Sequence, residues 1–131
     1  MQGDTHAGAV SNTSLWAGRI LSALPVLLFF FTGMFGLLKP AAALQGFIHY
    51  GYPDGSVPRI IIVELACALL YSIPRTSFLG AILLTGYLGG ATATHLRVGE
   101  PFFLPIIVGV VLWLGLFLRD ARLRALIPLR S

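Results

Sequence analysis

The sequence predicts an all-α integral membrane protein, folded as an antiparallel four-helix bundle of up-down-up-down order. The chain has 131 residues and is 56% hydrophobic, with a mean hydropathy of +0.86. Four long apolar stretches contain no Lys, Arg or Asp: residues 20–38, 60–74, 76–96 and 101–118. Lipid offers backbone N–H and C=O groups no partner, so stretches of this length cross a bilayer as helices. Short connections join the last three stretches, and short connections make neighbouring helices antiparallel.

These stretches use more than half of the chain and leave no room for a second domain of ordinary size. We expect a flexible N-terminal tail over residues 1–16, a four-span membrane domain over 17–128 and a basic C-terminal tail over 119–131. The predicted elements of the domain are spans at about 19–38, 58–74, 76–96 and 101–118, and an outer loop at 39–57.

The first span ends at Lys39-Pro40, and Pro25 inside it removes one helix hydrogen bond, which predicts a mild kink. Ala41-Ala42-Ala43 after the apolar run is also typical of the cleavage site of a signal peptide. The run is longer than the apolar part of a typical signal peptide, however, and Met1 to Ala17 carries no Lys or Arg. A retained helix is the favoured interpretation.

The outer loop contains an apolar segment, Pro40 to Tyr50, that predicts a short helix at the membrane interface. Tyr52-Pro53-Asp54-Gly55 after it is a turn signal. Tyr50 and Tyr52 are expected to be interface aromatics.

The later spans are bounded by charge and by proline. The second lies between Arg59 and Arg75 and covers only about 22 Å by helix rise, so both arginines must snorkel to reach the interfaces. Pro101 fits the first turn of the fourth span, with Glu100 at the positive end of the helix dipole. The third span has small residues in two rows that predict close packing against two neighbouring helices: Gly86 with Gly90, and Ala81, Thr85, Gly89 and Ala93.

The basic residues indicate how the spans are oriented. Six arginines would lie on the side of the termini and three basic residues on the other, which favours cytoplasmic termini. The net charge of +4 then reflects topology, and the Arg-rich tail from Arg119 is interpreted as a membrane-surface anchor with no specific ligand site. Nucleic acid is not an expected partner, whereas the lipid bilayer is.

One acid interrupts the apolar pattern, since Glu64 is the only acidic residue of the four stretches. A carboxylate at mid-membrane costs about 2.5–3.5 kcal/mol on insertion scales, so it should have a partner or a function. Helical spacing predicts two polar faces that are expected to meet: Glu64, Cys67, Ala68 and Tyr71 on span 2, and Tyr87, Ala91, Thr94 and His95 on span 3. Thr32 of span 1 lies at a similar depth.

We therefore predict a pocket in the outer half of the bundle. Its candidate catalytic residues are Glu64, His95 and Tyr87, and its candidate ligand-binding residues are Glu64, Thr32, Tyr87, Thr94 and His95. In this hypothesis Glu64 accepts a proton or binds a ligand group. The alternative is structural: a Glu–His or Glu–Tyr hydrogen bond locks two helices together, and His95 is a solvated interfacial histidine.

No cofactor or metal is expected. His49 and His95 with one carboxylate lack the spacing of a metal or haem site. Cys67, the only cysteine, permits neither an intramolecular disulfide nor Cys-x-x-Cys chemistry. The sequence also has no Gly-rich phosphate loop, nucleophile elbow or pair of carboxylates.

Several segments resemble the DoxX-like family of small bacterial membrane proteins. They are Glu64 to Leu70, Ile73 to Thr76, Leu79 to Ala91 and Thr94 to Arg97, together with Gly51-Tyr52-Pro53 and Arg119-Asp120. The resemblance implies a four-helix, multi-pass protein of the bacterial inner membrane. It also implies that five polar residues correspond to polar positions of the family, although it assigns them no roles: Glu64, Arg75, Tyr87, His95 and Arg97. Some family members are linked to membrane redox complexes and oxidative-stress defence, so a membrane redox complex is a candidate partner.

Three functions remain open. The first is a non-catalytic accessory or assembly component, linked through the resemblance to membrane redox processes. The second is a small membrane enzyme or binder that acts on an apolar molecule such as a quinone or isoprenoid, with Glu64 in the pocket. The third, a transporter, has the least support, because the four spans show neither an internal repeat nor a pair of broken helices.

Overall fold

The computed structural model describes residues 10–53 and 55–126, and within them the chain forms six α-helices and no strand. The helices are α1 (Asn12–Leu38), α2 (Pro40–His49), α3 (Ser56–Ser72), α4 (Ser77–Arg97), α5 (Phe103–Arg119) and α6 (Ala121–Arg124). The prediction of an all-α protein is therefore confirmed, and so is the short helix in the loop after the first span.

Local sequence explains where the first helices begin and end. Ser11 caps α1, because its side chain accepts a hydrogen bond from the backbone N–H of Ser14 at 3.1 Å. Pro40 lies in the first turn of α2, where its missing N–H is not needed. The same proline disfavours helical backbone at Lys39 and so separates α2 from α1.

Glycine and arginine end the later helices. Gly51 after α2 and Gly99 after α4 have positive φ angles of 86° and 78°, a conformation that glycine adopts without steric cost. At the end of α5, the Arg124 side chain donates to the carbonyls of Phe117 and Leu118, both at 3.0 Å. These bonds satisfy carbonyl groups that have no partner within the helix.

The helix ends differ from the predicted spans. α1 begins at Asn12 and so includes residues 12–16, which were assigned to the N-terminal tail; the Ser11 cap explains this earlier start. α5 begins at Phe103, so Pro101 precedes the helix instead of lying in its first turn. Residues 1–9 of the predicted tail, Asp54 of the predicted turn and residues 127–131 of the basic tail lie outside the described residues.

The four long helices pack around a shared apolar core. α1 contacts α3 and α5, and α4 contacts the same two helices. The largest fully buried side chains are Tyr71, Leu84, Leu112 and Leu116. The Tyr71 hydroxyl donates to the carbonyl oxygen of Leu112 at 2.5 Å, so the one polar atom of this ring is satisfied inside the core.

Glycines allow the closest helix contacts, but at other positions than predicted. A Cβ on Gly18 would lie 2.7 Å from the Gly115 carbonyl oxygen, and one on Gly80 would lie 2.5 Å from the Tyr71 Cα. The predicted packing of Gly86 with Gly90, and of Gly89 in the second row, is wrong, because a Cβ there would meet none of the described atoms within 4 Å. In that second row Ala81 is buried, whereas Thr85 and Ala93 are exposed. Small residues permit close packing, but the position of the partner helix decides where it occurs.

Within the described part of the chain, two helices are long and apolar enough to cross a membrane. They are α1 and α4, whose apolar windows have mean hydropathies of 2.1 and 1.2. α5 is also apolar but has only 17 residues. Only 28% of the α1 window and 33% of the α4 window are buried inside the protein. Most residues of these two windows are therefore not buried inside the protein.

We predict that Gly80→Ala lowers the free energy of unfolding by about 1–3 kcal/mol, because the new methyl group would collide with the backbone of α3. Gly86→Ala on the same helix is the control. Replacing glycine by alanine stabilises the helix by the same amount in both variants, up to about 1 kcal/mol. The methyl group at position 86 would have no described atom within 4 Å. Thermal unfolding of both variants in detergent measures the difference. Equal stability of the two variants would contradict the α3–α4 contact described here.

Candidate functional site

Glu64 lies on the face of α3 that packs into the core. The buried residues of this helix are Val57, Ile61, Glu64, Cys67, Ala68 and Tyr71, which confirms the predicted face from Glu64 to Tyr71. The Glu64 side chain is only 5% exposed. An acid so placed needs hydrogen-bond partners from the neighbouring helices.

Two hydroxyl groups supply those partners. The Tyr87 hydroxyl of α4 donates to Glu64 Oε1 at 2.9 Å, and the Thr32 hydroxyl of α1 donates to Glu64 Oε2. The Tyr87 ring also meets Phe29 of α1 edge to face, with 5.9 Å between the ring centroids. One carboxylate therefore joins α1, α3 and α4.

A cavity of about 400 Å³ adjoins this carboxylate. Its lining comes from all five helices between Asn12 and Arg119 and is mostly apolar, and its polar lining residues are Thr32, Tyr50, Glu64, Tyr87 and His95. Small-molecule sites are commonly apolar cavities of about 300–1,000 Å³ with a few polar groups that orient the ligand. The geometry can therefore hold an apolar molecule with one hydrogen-bonding group.

Four of the five predicted site residues line this cavity: Thr32, Glu64, Tyr87 and His95. The fifth, Thr94, does not line it. His95 lines the cavity, but its Nδ1 donates to the Ala91 carbonyl at 2.7 Å and its Nε2 lies 3.4 Å from the Tyr50 hydroxyl. Thr94 is buried against the loop after α2, where its hydroxyl lies 2.7 Å from that of Tyr52. Of the predicted partners on span 3, Tyr87 alone bonds Glu64 in the described structure.

Polar contacts tie the end of α2 and its following loop to the end of α4 and the α4–α5 connection. We call these residues the loop latch: His49, Tyr50, Tyr52, Thr94, Arg97 and Glu100. The Glu100 carboxylate accepts hydrogen bonds from His49 at 2.8 Å and from the Tyr50 hydroxyl at 2.9 Å. Arg97 donates to the Tyr50 carbonyl at 2.6 Å. The latch holds Tyr50 at the cavity wall.

The loop latch shifts the pKa values of two of its members. The hydrogen bond from His49, and then the one from Tyr50, hold the pKa of Glu100 below its ordinary value. Partial burial raises the pKa of Tyr50, and the hydrogen bond and charge of Glu100 raise it further. Glu100 is therefore ionised and Tyr50 neutral at physiological pH.

The latch was not predicted from the sequence, which indicated Tyr50 and Tyr52 as interface aromatics and Glu100 as a helix-dipole residue. The only signal in the sequence is that two loops expected on the same side of the membrane carry His49 and Glu100. Nothing in the spacing of His49 and Glu100 pairs them.

A second polar cluster lies where α1, α3 and α5 meet at the other end of the core. The Arg119 side chain donates from Nε to the Ser22 hydroxyl at 2.9 Å and lies 5.4 Å above the Tyr71 ring. Its Nη2 lies 3.5 Å from the Ser77 hydroxyl. Sequence reasoning placed Arg119 in a surface tail and did not predict this cluster.

Within residues 10–53 and 55–126, no group of three His, Cys, Asp or Glu side chains could hold a metal ion. Cys67 is buried in the apolar core with a free thiol.

A model of the DoxX-like family matches residues 20–117. The chain belongs to the DoxX-like family. The match covers the Glu64 site and confirms the resemblance inferred from spans 2 and 3. Neither a curated protein nor a solved structure matches this DoxX-like chain.

The loop latch of this DoxX-like protein should weaken in acid. A carboxylate whose pKa is lowered by folding stabilises the folded state above its ordinary pKa, and that contribution is lost as the pH falls through the lower, folded value. We expect the melting temperature of the wild type to exceed that of Glu100→Gln at neutral pH. The difference should shrink below the ordinary carboxyl pKa of about 4.5. Melting curves measured at several pH values test this; a difference that stays constant into the acid range would contradict the latch.

Proposed function

We propose that this DoxX-like protein is a multi-pass protein of the bacterial inner membrane, in which α1, α3, α4 and α5 cross as an antiparallel up-down-up-down bundle with cytoplasmic termini. Side-chain contacts support the antiparallel order. Ser14 at the start of α1 bonds the Leu118 carbonyl at the end of α5, and Tyr87 late in α4 bonds Glu64 near the middle of α3. Among the described residues, more large hydrophobic side chains are exposed than buried, as expected for a surface that faces lipid.

Within that frame, we propose that the protein binds an apolar small molecule with one polar group, such as a quinone or isoprenoid. The observation that carries this proposal is the cavity beside Glu64. A cavity of about 400 Å³ accommodates a ring or a short isoprenoid segment, and its few polar groups can orient such a ligand.

The surroundings of the cavity favour a ligand that arrives from the bilayer. Three large apolar residues of its lining are exposed: Leu28 (36%), Phe35 (43%) and Leu104 (64%). The cavity therefore reaches an apolar part of the protein surface. A lipophilic tail can remain along these side chains while the polar head lies near Glu64.

In this proposal Glu64 is the group that recognises the polar head of the ligand. As a carboxylate it accepts a hydrogen bond from a hydroxyl group, and when protonated it donates one to a quinone oxygen. Tyr87 and Thr32 hold the carboxyl group in place, and His95 offers a further polar contact at the same cavity.

A second candidate is the accessory role, in which Glu64 only locks the helices and the protein serves as a subunit or assembly factor of a membrane redox complex. Two observations favour it. Both carboxylate oxygens of Glu64 already have partners within the protein. The exposed glycines of α4, Gly86, Gly89 and Gly90, leave a helix face on which a partner helix can pack closely.

Filling the cavity with a larger side chain distinguishes the ligand-binding function from the accessory role. We expect Ala91→Phe, at the cavity wall, to weaken binding of a short-chain quinone or of farnesol about tenfold or more, because the ring takes the space of the ligand. Ala93→Phe is the matched control, since Ala93 is exposed on the same helix and does not line the cavity. Equilibrium binding of labelled compounds to the purified protein in nanodiscs provides the measurement. No saturable binding of either compound to the wild type, or equal binding by both variants, would refute the ligand proposal.

Substitution of Glu64 tests its role directly. In Glu64→Gln, the Gln carbonyl accepts from Tyr87, and Thr32 accepts from the Gln amide while donating to the Phe29 carbonyl 3.2 Å away. We therefore expect near-normal stability but weaker ligand binding. Glu64→Leu leaves the Tyr87 hydroxyl without its acceptor and should lose about 1–3 kcal/mol of stability. If Glu64→Gln binds ligand like the wild type, Glu64 is a structural residue and does not recognise the ligand.

A further inference from the structure

A second cavity, of about 320 Å³, lies at the end of the core opposite the loop latch. It is lined by residues of α1, of the end of α3 and of α5, and its polar lining residues are Arg19, Ser22, Tyr71, Ser72 and Arg119. Two of these are cationic and none is acidic. The cavity is therefore both concave and positively charged.

Arg119 lines this cavity, and among the described residues its side chain contacts only neutral groups. Its contacts are the hydroxyl groups of Ser22 and Ser77 and the face of the Tyr71 ring. Ser22 and Ser77 are themselves buried, 7% and 3% exposed. The ion pairs of the described residues involve other groups, namely His49 with Glu100 and Arg122 with Asp120. A partly buried guanidinium group held this way retains its full charge and has N–H donors left for an anion.

Among the described residues, the acid that follows Arg119 in the chain forms no ion pair with it. Asp120 follows Arg119 in the chain, but its carboxylate accepts from the backbone N–H groups of Arg122 and Leu123 and so caps α6. It also lies 3.6 Å from the Arg122 side chain. Asp120 lines a neighbouring cavity and is absent from the lining of the one described here.

We propose that this cavity binds a phosphate group through Arg19 and Arg119, with the hydroxyl group of Ser22 as a further donor. Guanidinium groups match the geometry of phosphate oxygens in pairs of parallel hydrogen bonds, and the partial burial of Arg119 strengthens this attraction. The phosphate belongs either to an anionic phospholipid or to a free phosphate compound. Three exposed apolar residues are neighbours in the chain of residues that line the cavity, and they provide a surface for the acyl chains of a lipid: Ile20 and Leu24 of α1 and Ile73 after α3.

The test compares three additives on the purified full-length protein in a neutral detergent: phosphatidylglycerol, diacylglycerol with the same acyl chains, and inorganic phosphate. Native mass spectrometry measures lipid binding, and thermal unfolding measures stabilisation by each additive. Preferential binding of phosphatidylglycerol over diacylglycerol indicates a phospholipid, and stabilisation by millimolar inorganic phosphate indicates a free phosphate compound. If neither is observed, the proposal is overturned.

Variants then show whether the effect belongs to this cavity. We expect Arg19→Gln and Arg119→Gln to weaken phosphate-dependent binding about tenfold or more, the equivalent of one lost charged hydrogen bond. Arg75→Gln is the control, because it removes the same charge in the α3–α4 connection and does not line the cavity. Arg119 also bonds Ser22, so its replacement disturbs packing, whereas Arg19 is exposed and serves as the variant that folds normally. Equal weakening by Arg75→Gln would show that general charge attraction explains the binding, and no weakening by Arg19→Gln would show that the phosphate binds elsewhere; either result overturns the proposal.

Discussion

The arrangement of this protein depends on the burial of one carboxylate. Glu64 is 5% exposed in an apolar core, and its two oxygens need donors from outside α3. Thr32 and Tyr87 satisfy this need from α1 and α4, which places three helices in a definite register. A one-residue shift of α3 would rotate the acid by about 100° away from both hydroxyl groups. The cavity lies beside the same contact, so the side chain that sets the packing also gives the cavity its acidic group.

The buried face of α3 continues from Glu64 to Tyr71, and it links two polar regions of different character. Glu64 brings an acidic side chain to the cavity beside the loop latch, whereas Tyr71 lies under the Arg119 guanidinium at the other end. The buried residues between them on α3 are Cys67 and Ala68, and Leu84 and Leu112 join them in the core. This apolar layer separates the two polar regions. Such a layer suits a protein with a separate site at each end better than one that conducts a polar solute.

Much of the fold follows from residue patterns, whereas the finer contacts depend on three-dimensional placement. Long apolar runs predict helices, and i, i+3, i+4, i+7 spacing correctly places Glu64 and Tyr71 on one face. The same rule put Thr94 in the pocket, yet its side chain faces Tyr52, because the loop after α2 folds back over the end of α4. The glycines of α4 illustrate a similar limit, since Gly80 meets α3 while Gly86 meets no described atom. Composition cannot distinguish them, because the crossing point of two helices depends on every contact along both.

For the apolar ligand proposed above, the loop latch and the exposed flank of the cavity together favour one direction of entry. On the side of the loops, α2 and Tyr50 form part of the cavity wall, and the bonds to Arg97 and Glu100 hold that wall in place. On the flank, exposed Leu28 and Leu104 offer only apolar side chains that can move without breaking hydrogen bonds. Opening the first side means separating a carboxylate and a guanidinium from their partners, which costs more than displacing lipid from a hydrocarbon surface. For the proposed ligand, entry from the bilayer is therefore the easier route, and this route would select for molecules that already partition into lipid.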